Sequence, residues 1–469
     1  MAKRKASEQQ QPQSIDFDVL EQINLSAAGA DVGDEEIWVT VPKGGSEERT
    51  RMFRTFTAEL RRLADWLETC RVTTLAMEAT GVYWMPLYDI LEKRGIEVYL
   101  VNPQYAKQAG ARKDDVSDSQ WIQQLHTYGL LRASFRPPEE IRAIRELVRH
   151  RDRLTQNRAA HIQHMQKALQ QMNLKLTTVL SDITGVTGMQ IIRAIIGGER
   201  DPHVLASYRQ KGCQRAEEEI AMALEGHYSA EQLFILQQAL EQYDFYGAQL
   251  AACDAKLEAL YQQHRGEPRD PLPPPSKREK RRKNQSHIDL RGHLYRLTGV
   301  DLTAVDGLDA LTVQKVIAEI GTDMAPWPSD KHFGAWLGLA PNHRQSGGKI
   351  KSRAAHAHAN RAATALRIAA QTLWRSNSSL GAAFRRLKGR LGPAKATTAL
   401  AYKLARIIYH MLKDQTPYRD PGALAYEQQQ RERTIRKLRR SAARLGFRLE
   451  EVSCELTIPS SLPSTAVVS

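Results

Sequence analysis

The sequence predicts an α/β domain followed by two largely helical regions. Between about residues 23 and 138, short apolar runs typical of strands alternate with amphipathic stretches typical of helices. From 139 to 264 the pattern is helical throughout, and a compact, mostly helical region covers 291–420. A chain of 469 residues is long enough for two or three such domains.

The remaining segments are predicted to be tails and a linker. Residues 1–22 form a polar tail without the apolar core of a secretory signal. Residues 265–290 are rich in proline and then strongly basic, as in a solvated tether or a segment that contacts nucleic acid. Residues 421–469 contain the basic helix "YEQQQRERTIRKLRRSAARLGF" and a polar tail.

The elements of the first domain follow from periodicity and from breaker residues. Strands are predicted at "AAGADV", "EIWVTVP" and, more weakly, "RMFRTF", followed by the helix "FTAELRRLADWLE". The strand "VTTLAME", the helix "YWMPLYDILEKRG" closed by Gly95, and the strand "IEVYLVNP" closed by Pro103 come next. A last helix begins near Asp118. The predicted order is three strands followed by a helix, a strand, a helix, a strand and a helix. This is the order of a ribonuclease-H-like domain.

Apolar residues spaced alternately three and four apart predict a coiled-coil seam in the second region. The seam consists of Leu236, Ala239, Tyr243, Tyr246, Leu250, Cys253, Leu257 and Leu260. An earlier stripe consists of Leu154, Ile162, Met165, Leu169 and Met172. Both are predicted to be packing surfaces, within a helical hairpin or between protomers.

Charge and composition narrow the classes of partner. A formal net charge of +14 and a pI near 9.6 favour a polyanion, most commonly nucleic acid and next an anionic membrane surface. The basic residues are spread over several segments, which argues against a membrane role, and no apolar run is long enough to cross a bilayer. The four cysteines contain no CxxC pair, so neither a disulfide framework nor a cysteine zinc site is indicated, and a reducing cytoplasm is expected.

Four acids of the first domain form a candidate metal site. Asp31 and Glu78 end apolar strands, and Asp115 and Asp118 are three apart on one face of a helix start. Carboxylates in this arrangement suit a pair of Mg²⁺ ions about 3.5–4 Å apart, with Mn²⁺ as a substitute. The alternative is that Asp115 and Asp118 only cap the helix. Asp114 stays open as a ligand, although the spacing to Asp118 favours Asp115.

A second candidate site surrounds Ser346 in "FGAWLGLAPNHRQSGGKIKSR". The two glycines after Ser346 let the backbone approach a phosphate closely, but such a string also occurs in ordinary glycine-rich loops. Candidate nucleic-acid-binding residues are His343, Arg344, Lys349, Lys351 and Arg353 here, and Lys113 beside the acids. A serine nucleophile needs a base or a metal, and His343 is the one convincing base nearby. Upstream, "LTAVDGLDALTVQKVIAEIG" resembles a helix-hairpin-helix element.

Several motifs in order resemble one family. The motifs that carry this resemblance are "NLSAAGADVG", "AMEATGVYW", "VNPQYAKQAGARKDDVSDSQWIQQLHTYGLL", "GLAPNHRQSGGK", "NRAATALRIAAQTL" and "KLARIIYHML". Through them the chain resembles the DEDD transposases of the insertion-sequence "one-ten" family, and most of all its "eleven-eleven" branch. The likeness covers residues 22 to 447. It implies a RuvC-like nuclease domain at 23–138, a coiled-coil insertion at 139–264 and a C-terminal transposase domain at 291–420.

The resemblance also implies roles for the candidate residues. Asp31, Glu78, Asp115 and Asp118 would bind divalent metal, and Ser346 would attack the DNA backbone to give a phosphoserine link. The implied partners are DNA of the element ends and target, an element-encoded guide RNA, and further copies of the chain in a homodimer or tetramer, associated with the nucleoid.

Two other functions remain open on the sequence. A structure-specific nuclease of the Holliday-junction resolvase type would use the carboxylates with water as the nucleophile, and Ser346 would be dispensable for cleavage. A non-enzymatic nucleic-acid-binding scaffold would use only the basic faces and the coiled coil, and its binding would not respond to Mg²⁺.

Overall fold

The computed structural model describes residues 17, 19–102, 115–264, 266, 271–275, 285–341, 344–346, 349–352 and 360–450, with backbone alone at 115–117, 344–346 and 349–352. The chain divides into two compact units, Met1–Arg136 and Pro137–Ser469. Every helix in the described ranges is too short or too polar to span a lipid bilayer.

The first unit is built on a five-stranded mixed sheet in the order β3-β2-β1-β4-β5. The strands are β1 (Ala27–Val32), β2 (Glu36–Thr40), β3 (Thr50–Arg54), β4 (Thr74–Glu78) and β5 (Glu97–Val101). β1–β2 and β2–β3 are antiparallel pairs, whereas β4 is parallel to both β1 and β5. The helices are α1 (Thr57–Thr69), α2 (Trp84–Lys93) and α3 (Asp115–Thr127). A mixed sheet with flanking helices confirms the predicted α/β class and is consistent with a ribonuclease-H-like domain.

One face of this sheet carries the hydrophobic core of the first unit. Side chains alternate between the faces of a strand, and Ala28, Ala30 and Val32 of β1 belong to the large apolar cluster. α1 and α2 contribute buried leucines to the same cluster, at Leu60, Leu63, Leu67, Leu87 and Leu91. The three- and four-residue spacing of these leucines gives each helix one apolar side, which explains why both helices dock on this face.

The second unit is mostly helical, as predicted. Its helices are α4 (Glu139–Gln171), α5 (Leu176–Val179), α6 (Val186–Ile196), α7 (Pro202–Ala206), α8 (Glu217–Leu224), α9 (Ala230–Gln263), α10 (Leu290–Thr298), α11 (Ala310–Ile320), α12 (Asp330–Trp336), α13 (Arg361–Thr372), α14 (Ser379–Leu391), α15 (Pro393–Asp414) and α16 (Gly422–Arg444), with short 3-10 helices at Leu302–Ala304 and Leu373–Arg375. A two-stranded hairpin, β6 (Arg344–Ser346) and β7 (Lys349–Ser352), interrupts them. The sequence did not predict this hairpin, because each strand is shorter than the runs from which period-two alternation is recognised.

The two long helices α4 and α9 pack along each other within the chain. Most residues of the two predicted apolar stripes are buried, including Leu154, Met165, Tyr243 and Leu257. Midway along the pair, the Arg151 guanidinium donates two hydrogen bonds to the Asp254 carboxylate, of 2.5 and 3.1 Å, and both side chains are buried. A buried ion pair is disrupted by any slip of one helix along the other, so it favours this register. The supercoiled geometry of a coiled coil stays a prediction.

Side-chain caps and an ion pair organise the C-terminal helices. The side chains of Asp309, Asn360 and Ser378 accept hydrogen bonds from backbone N–H groups in the first turns of α11, α13 and α14. The Arg149 guanidinium joins α4 to α11 through two bonds to Glu319, of 2.8 and 2.7 Å. The helix-hairpin-helix element and the residue limits of the domains remain predictions.

Candidate active site

Asp31 and Glu78 lie side by side at the same edge of the sheet. β1 and β4 are parallel, and Ala30 is in register with Met77, so the next residues along the two strands are Asp31 and Glu78. Ala30 and Met77 both point into the apolar core. Because side chains alternate, the two acids point to the opposite face. Both acidic residues are half-buried.

Helix α3 covers that opposite face, and its contacts show which way it runs. Backbone N–H groups of Ile23 and Asn24, just before β1, donate to the Thr127 carbonyl at the end of α3. Gln123 donates to the carbonyl of Ala27, at the start of β1. Ser119 lies farther along, because its hydroxyl is 2.9 Å from that of Thr40 on β2. The start of α3 therefore lies toward the end of β1 that carries Asp31.

Gly29 permits this close packing. A Cβ atom built at Gly29 would lie 2.2 Å from the Gln123 backbone nitrogen and 2.5 Å from the Ser119 carbonyl oxygen. Real Cβ atoms do not approach backbone this closely, so only glycine fits beneath α3. The backbones of β1 and α3 are thus in direct contact two residues before Asp31.

The structure therefore brings Asp31, Glu78 and Asp118 to one end of the α3-covered face. Asp118 is half-buried, one turn after Asp115. The backbone of Asp115 is described and opens α3, three residues before the predicted start, but its side chain is not described. Lys113 and Asp114 lie outside the described residues. The choice between Asp114 and Asp115 as a ligand stays a prediction.

The donor chemistry of this edge fits a hard divalent cation. Every predicted ligand is a carboxylate, and Mg²⁺ prefers oxygen ligands. Among the described side chains, no group of three or more His, Cys, Asp or Glu residues is close enough to hold a metal ion. The Asp115 side chain is not among them, so the predicted set of four ligands stays a prediction.

Buried polar side chains of α3 hold the helix in place, and the sequence analysis missed them. Ser119, Gln123 and His126 are all buried and face the sheet. His126 Nε2 lies 2.9 Å from the Thr74 hydroxyl of β4, and its ring centroid is 4.6 Å from that of Tyr99. Burial lowers the pKa of His126 to about 4, so the ring is neutral at pH 7. In the sequence these residues have i, i+4, i+7 spacing, which puts all three on one side of a helix and could have indicated a buried polar face.

Ser346 lies in the second unit, at the end of β6. Its backbone pairs with Lys349 on the antiparallel strand β7. Arg344, Lys349 and Lys351 belong to the same two strands, and the side chains of all these residues are outside the described set. His343 and Arg353 lie outside the described residues altogether.

The segment that leads into the hairpin is firmly packed. A Cβ at Gly334 of α12 would meet the Tyr402 ring of α15 at 2.1 Å, so the two helices are in close contact. The Gly334 carbonyl accepts backbone bonds from Leu339 and Ala340, of 3.0 and 3.1 Å. Leu337 and Leu339 are buried. The chain is therefore closely packed from Gly334 to Ala340, a few residues before β6.

Comparison with protein families adds the class of enzyme. Residues 28–174 match a family model of DEDD type described as "Transposase", and residues 301–385 match a second, described as "Transposase IS116/IS110/IS902 family". Transposase domains indicate an enzyme that cleaves DNA and transfers its strands. The two matches together support the IS110 family. No curated protein matches the chain.

The two matched ranges together include all five predicted catalytic residues. Asp31, Glu78, Asp115 and Asp118 fall in the first range and Ser346 in the second. Transposase domains of the DEDD type usually use divalent metal ions. The two matches therefore support the sequence resemblance at the level of the family.

Proposed function

We propose that this transposase cuts and rejoins DNA by serine transesterification, with Asp31, Glu78, Asp115 and Asp118 holding divalent metal and Ser346 as the nucleophile. The observation that supports the proposal is that Asp31, Glu78 and the start of α3, which contains Asp118, lie at the same end of one face of the sheet. Carboxylates about 4 Å apart repel one another by roughly 1 kcal/mol per pair in water and more in a partly buried site, so a set of four acids drawn together there would need a divalent cation to offset the repulsion.

In the proposed reaction, the Ser346 oxygen attacks the phosphorus of a DNA phosphodiester. An Oγ–P bond forms while the bond from phosphorus to one sugar oxygen breaks. The serine proton passes to a base, for which His343 is the candidate, and the leaving sugar oxygen takes up a proton. The phosphoserine link conserves the phosphoester bond, so a DNA hydroxyl can later displace the serine and rejoin a strand. Bound Mg²⁺ or Mn²⁺ would supply positive charge that stabilises the phosphorane-like transition state.

The finer features implied by the resemblance belong to the same proposal. They are membership of the "eleven-eleven" branch, guidance by an element-encoded RNA, and action as a homodimer or tetramer. Arg344, Lys349, Lys351 and Arg353 are proposed to bind phosphates beside Ser346, and Lys113 to do so beside the acids. The excess of basic residues in the chain supports a polyanionic partner in each case.

The test is formation of a covalent protein–DNA adduct. Purified full-length protein is incubated with labelled DNA of its element ends and Mg²⁺, with and without candidate guide RNA, and examined on a denaturing gel. We expect an adduct with the natural chain and none with Ser346→Ala. Ser352→Ala is the matched control, because Ser352 lies on the partner strand of the same hairpin, and it should retain the adduct.

The acid variants complete the test. Asp31→Asn and Asp118→Asn should abolish both cleavage and adduct, because each replaces a carboxylate ligand with a neutral amide of the same shape. If Ser346→Ala leaves cleavage intact while Asp31→Asn abolishes it, the resolvase-type reaction with water is correct and the serine mechanism is wrong.

A further inference from the structure

The C-terminal helix α16 carries a dense positive charge on an exposed surface. Between Gly422 and Arg444 it contains seven Arg or Lys residues and two Glu residues, and none of its residues is buried. The seven are Arg431, Arg433, Arg436, Lys437, Arg439, Arg440 and Arg444. All of them lie within the last fourteen residues of the helix, from Arg431 to Arg444.

The two halves of α16 have different surroundings. α16 contacts α14, several residues near its start are half-buried, and the Lys403 ammonium of α15 lies 5.2 Å from the Tyr426 ring centroid. From 431 to 441 every residue except Ile435 is exposed. The helix is thus attached to the protein at its start, and its basic half lies at the surface.

The charges of the second half are arranged on one side. Arg433, Lys437, Arg440 and Arg444 follow one another at spacings of four, three and four, which aligns them along the helix. Of the residues that the structure describes, none forms an ion pair with Lys437, Arg440 or Arg444. Glu432 forms an ion pair with Arg436, which lies outside this row, at 3.6 Å. We call these four residues the basic row.

We propose that the basic row of α16 binds duplex DNA through its phosphates, with the exposed half of the helix lying in the major groove. The fourteen residues from Arg431 to Arg444 span about 20 Å at 1.5 Å per residue. The major groove of B-form DNA, about 12 Å wide, admits an α-helix, whereas the major groove of A-form RNA is too narrow and deep. The helix lies outside both ranges that match transposase family models. The proposal rests on the proposed function only in that DNA is the substrate.

A second copy of the chain is the competing occupant. Ile435, Leu438 and Ala442 form a short apolar row on the side opposite the basic row, and the Leu438 residue is 51% exposed. Helices can associate through such a row. The charge of the helix favours DNA over a second copy as the occupant. Pairing two copies of a helix with a net charge of +5 brings like charges together.

The test measures equilibrium binding of the full chain in EDTA, with a 30-base-pair duplex DNA and a duplex RNA of equal length as probes. The variant replaces all four residues of the basic row: Arg433→Gln, Lys437→Gln, Arg440→Gln and Arg444→Gln. We expect DNA affinity to fall at least about tenfold at low salt. The slope of log K against log salt should decrease in magnitude by about 3.6, since each of the four phosphate contacts contributes about 0.9. The duplex RNA should lose less affinity than the DNA.

The control removes the same charge from exposed side chains elsewhere, at Arg61, Arg153, Lys211 and Lys256, each replaced by Gln. The salt slope of this control should stay within about 1 of that of the natural chain. The slope reports charges that contact phosphates, and a lower overall charge does not by itself remove such contacts. The proposal is overturned if the two variants bind DNA alike, or if the basic-row variant loses RNA binding instead of DNA binding. It is also overturned if Leu438→Glu weakens DNA binding as much as the basic-row variant does and lowers the mass measured by sedimentation, since the helix would then pair with a second copy. Because EDTA prevents metal-dependent chemistry, a failure of the Ser346 mechanism would leave this result unchanged.

Discussion

The two faces of the five-stranded sheet are packed in different ways. One face meets α1 and α2 through a large apolar cluster that includes Leu63, Leu75 and Met77. The other face meets α3 through backbone contact at Gly29, buried hydrogen bonds, and a small apolar cluster of Ala76, Val101 and Ile122. Apolar contact is non-directional and stabilises many arrangements, whereas hydrogen bonds and backbone contact fix one. The candidate acids lie on the face where position is fixed.

The largest expected effect is that of Gly29→Ala on the α3 face. A new methyl group 2.2 Å from the Gln123 nitrogen cannot be accommodated unless α3 moves. We expect local destabilisation of roughly 4 kcal/mol or more, measured by hydrogen exchange of β1 and α3 peptides, together with loss of DNA cleavage. Gly389→Ala is the control: a Cβ there meets no atom within 4 Å, and alanine in a helix should stabilise by about 0.5–1 kcal/mol. Normal exchange in Gly29→Ala would show that α3 does not need this contact.

The next effect separates stability from activity on the apolar face. Leu75 is fully buried, so Leu75→Ala should lower the stability of the first unit by about 2–5 kcal/mol. Hydrogen exchange of the strand peptides reports that loss, and cleavage per folded molecule at low temperature should be retained. Met52→Ala on β3 is the control. Met52 is 42% exposed, so this substitution should change stability little. If Leu75→Ala abolishes cleavage while the sheet stays protected, the division of roles between the faces is wrong.

His126 predicts a pH dependence of the α3 face. Burial lowers its pKa to about 4 from the ordinary value of 6.5, so the unfolded chain takes up a proton on this histidine at higher pH than the native chain. The stability that the folded protein gains from the neutral His126 is fully present above pH 6.5 and is lost as the pH falls toward 4. The loss is up to about 3 kcal/mol. Exchange of β4 and α3 peptides between pH 7 and pH 4 should show it. His126→Gln should flatten the profile in this range, and an unchanged profile would exclude His126 as its source.

The smallest effect comes from the hydrogen bond between α3 and β2. Ser119→Ala removes one partner of the 2.9 Å bond to Thr40, while Thr40 keeps its 2.9 Å contact with Thr50. We expect a stability loss of about 1 kcal/mol and a reduction in the rate of cleavage, because Ser119 follows Asp118 directly. Thr69→Ala on α1 is the matched control, since it removes a 2.9 Å hydroxyl bond to Asp65 on the other face and should leave the rate unchanged. Equal rates for the two variants would contradict a positioning role for Ser119.

The sequence could predict the candidate acids because strand ends and helix starts leave local signals. Asp31 and Glu78 each lie at the end of an apolar strand, and Asp115 and Asp118 share a helical spacing. The contacts that position these acids were not predicted. Whether Ser119 or His126 faces solvent or the sheet depends on a partner strand distant in the chain, such as β4, and local periodicity does not identify that partner.

By itself, the sequence determined the α/β class of the first unit, the helical character of the second, the basic charge and the order of the family motifs. Each of these depends on residues close together in the chain. Only the tertiary structure decided that the acids of β1 and β4 share a face with α3, that α4 and α9 pack within one chain, and that Ser346 ends a strand. These arrangements depend on which distant segments pack together, and steric fit at positions such as Gly29 selects among the pairings that apolar patterns allow.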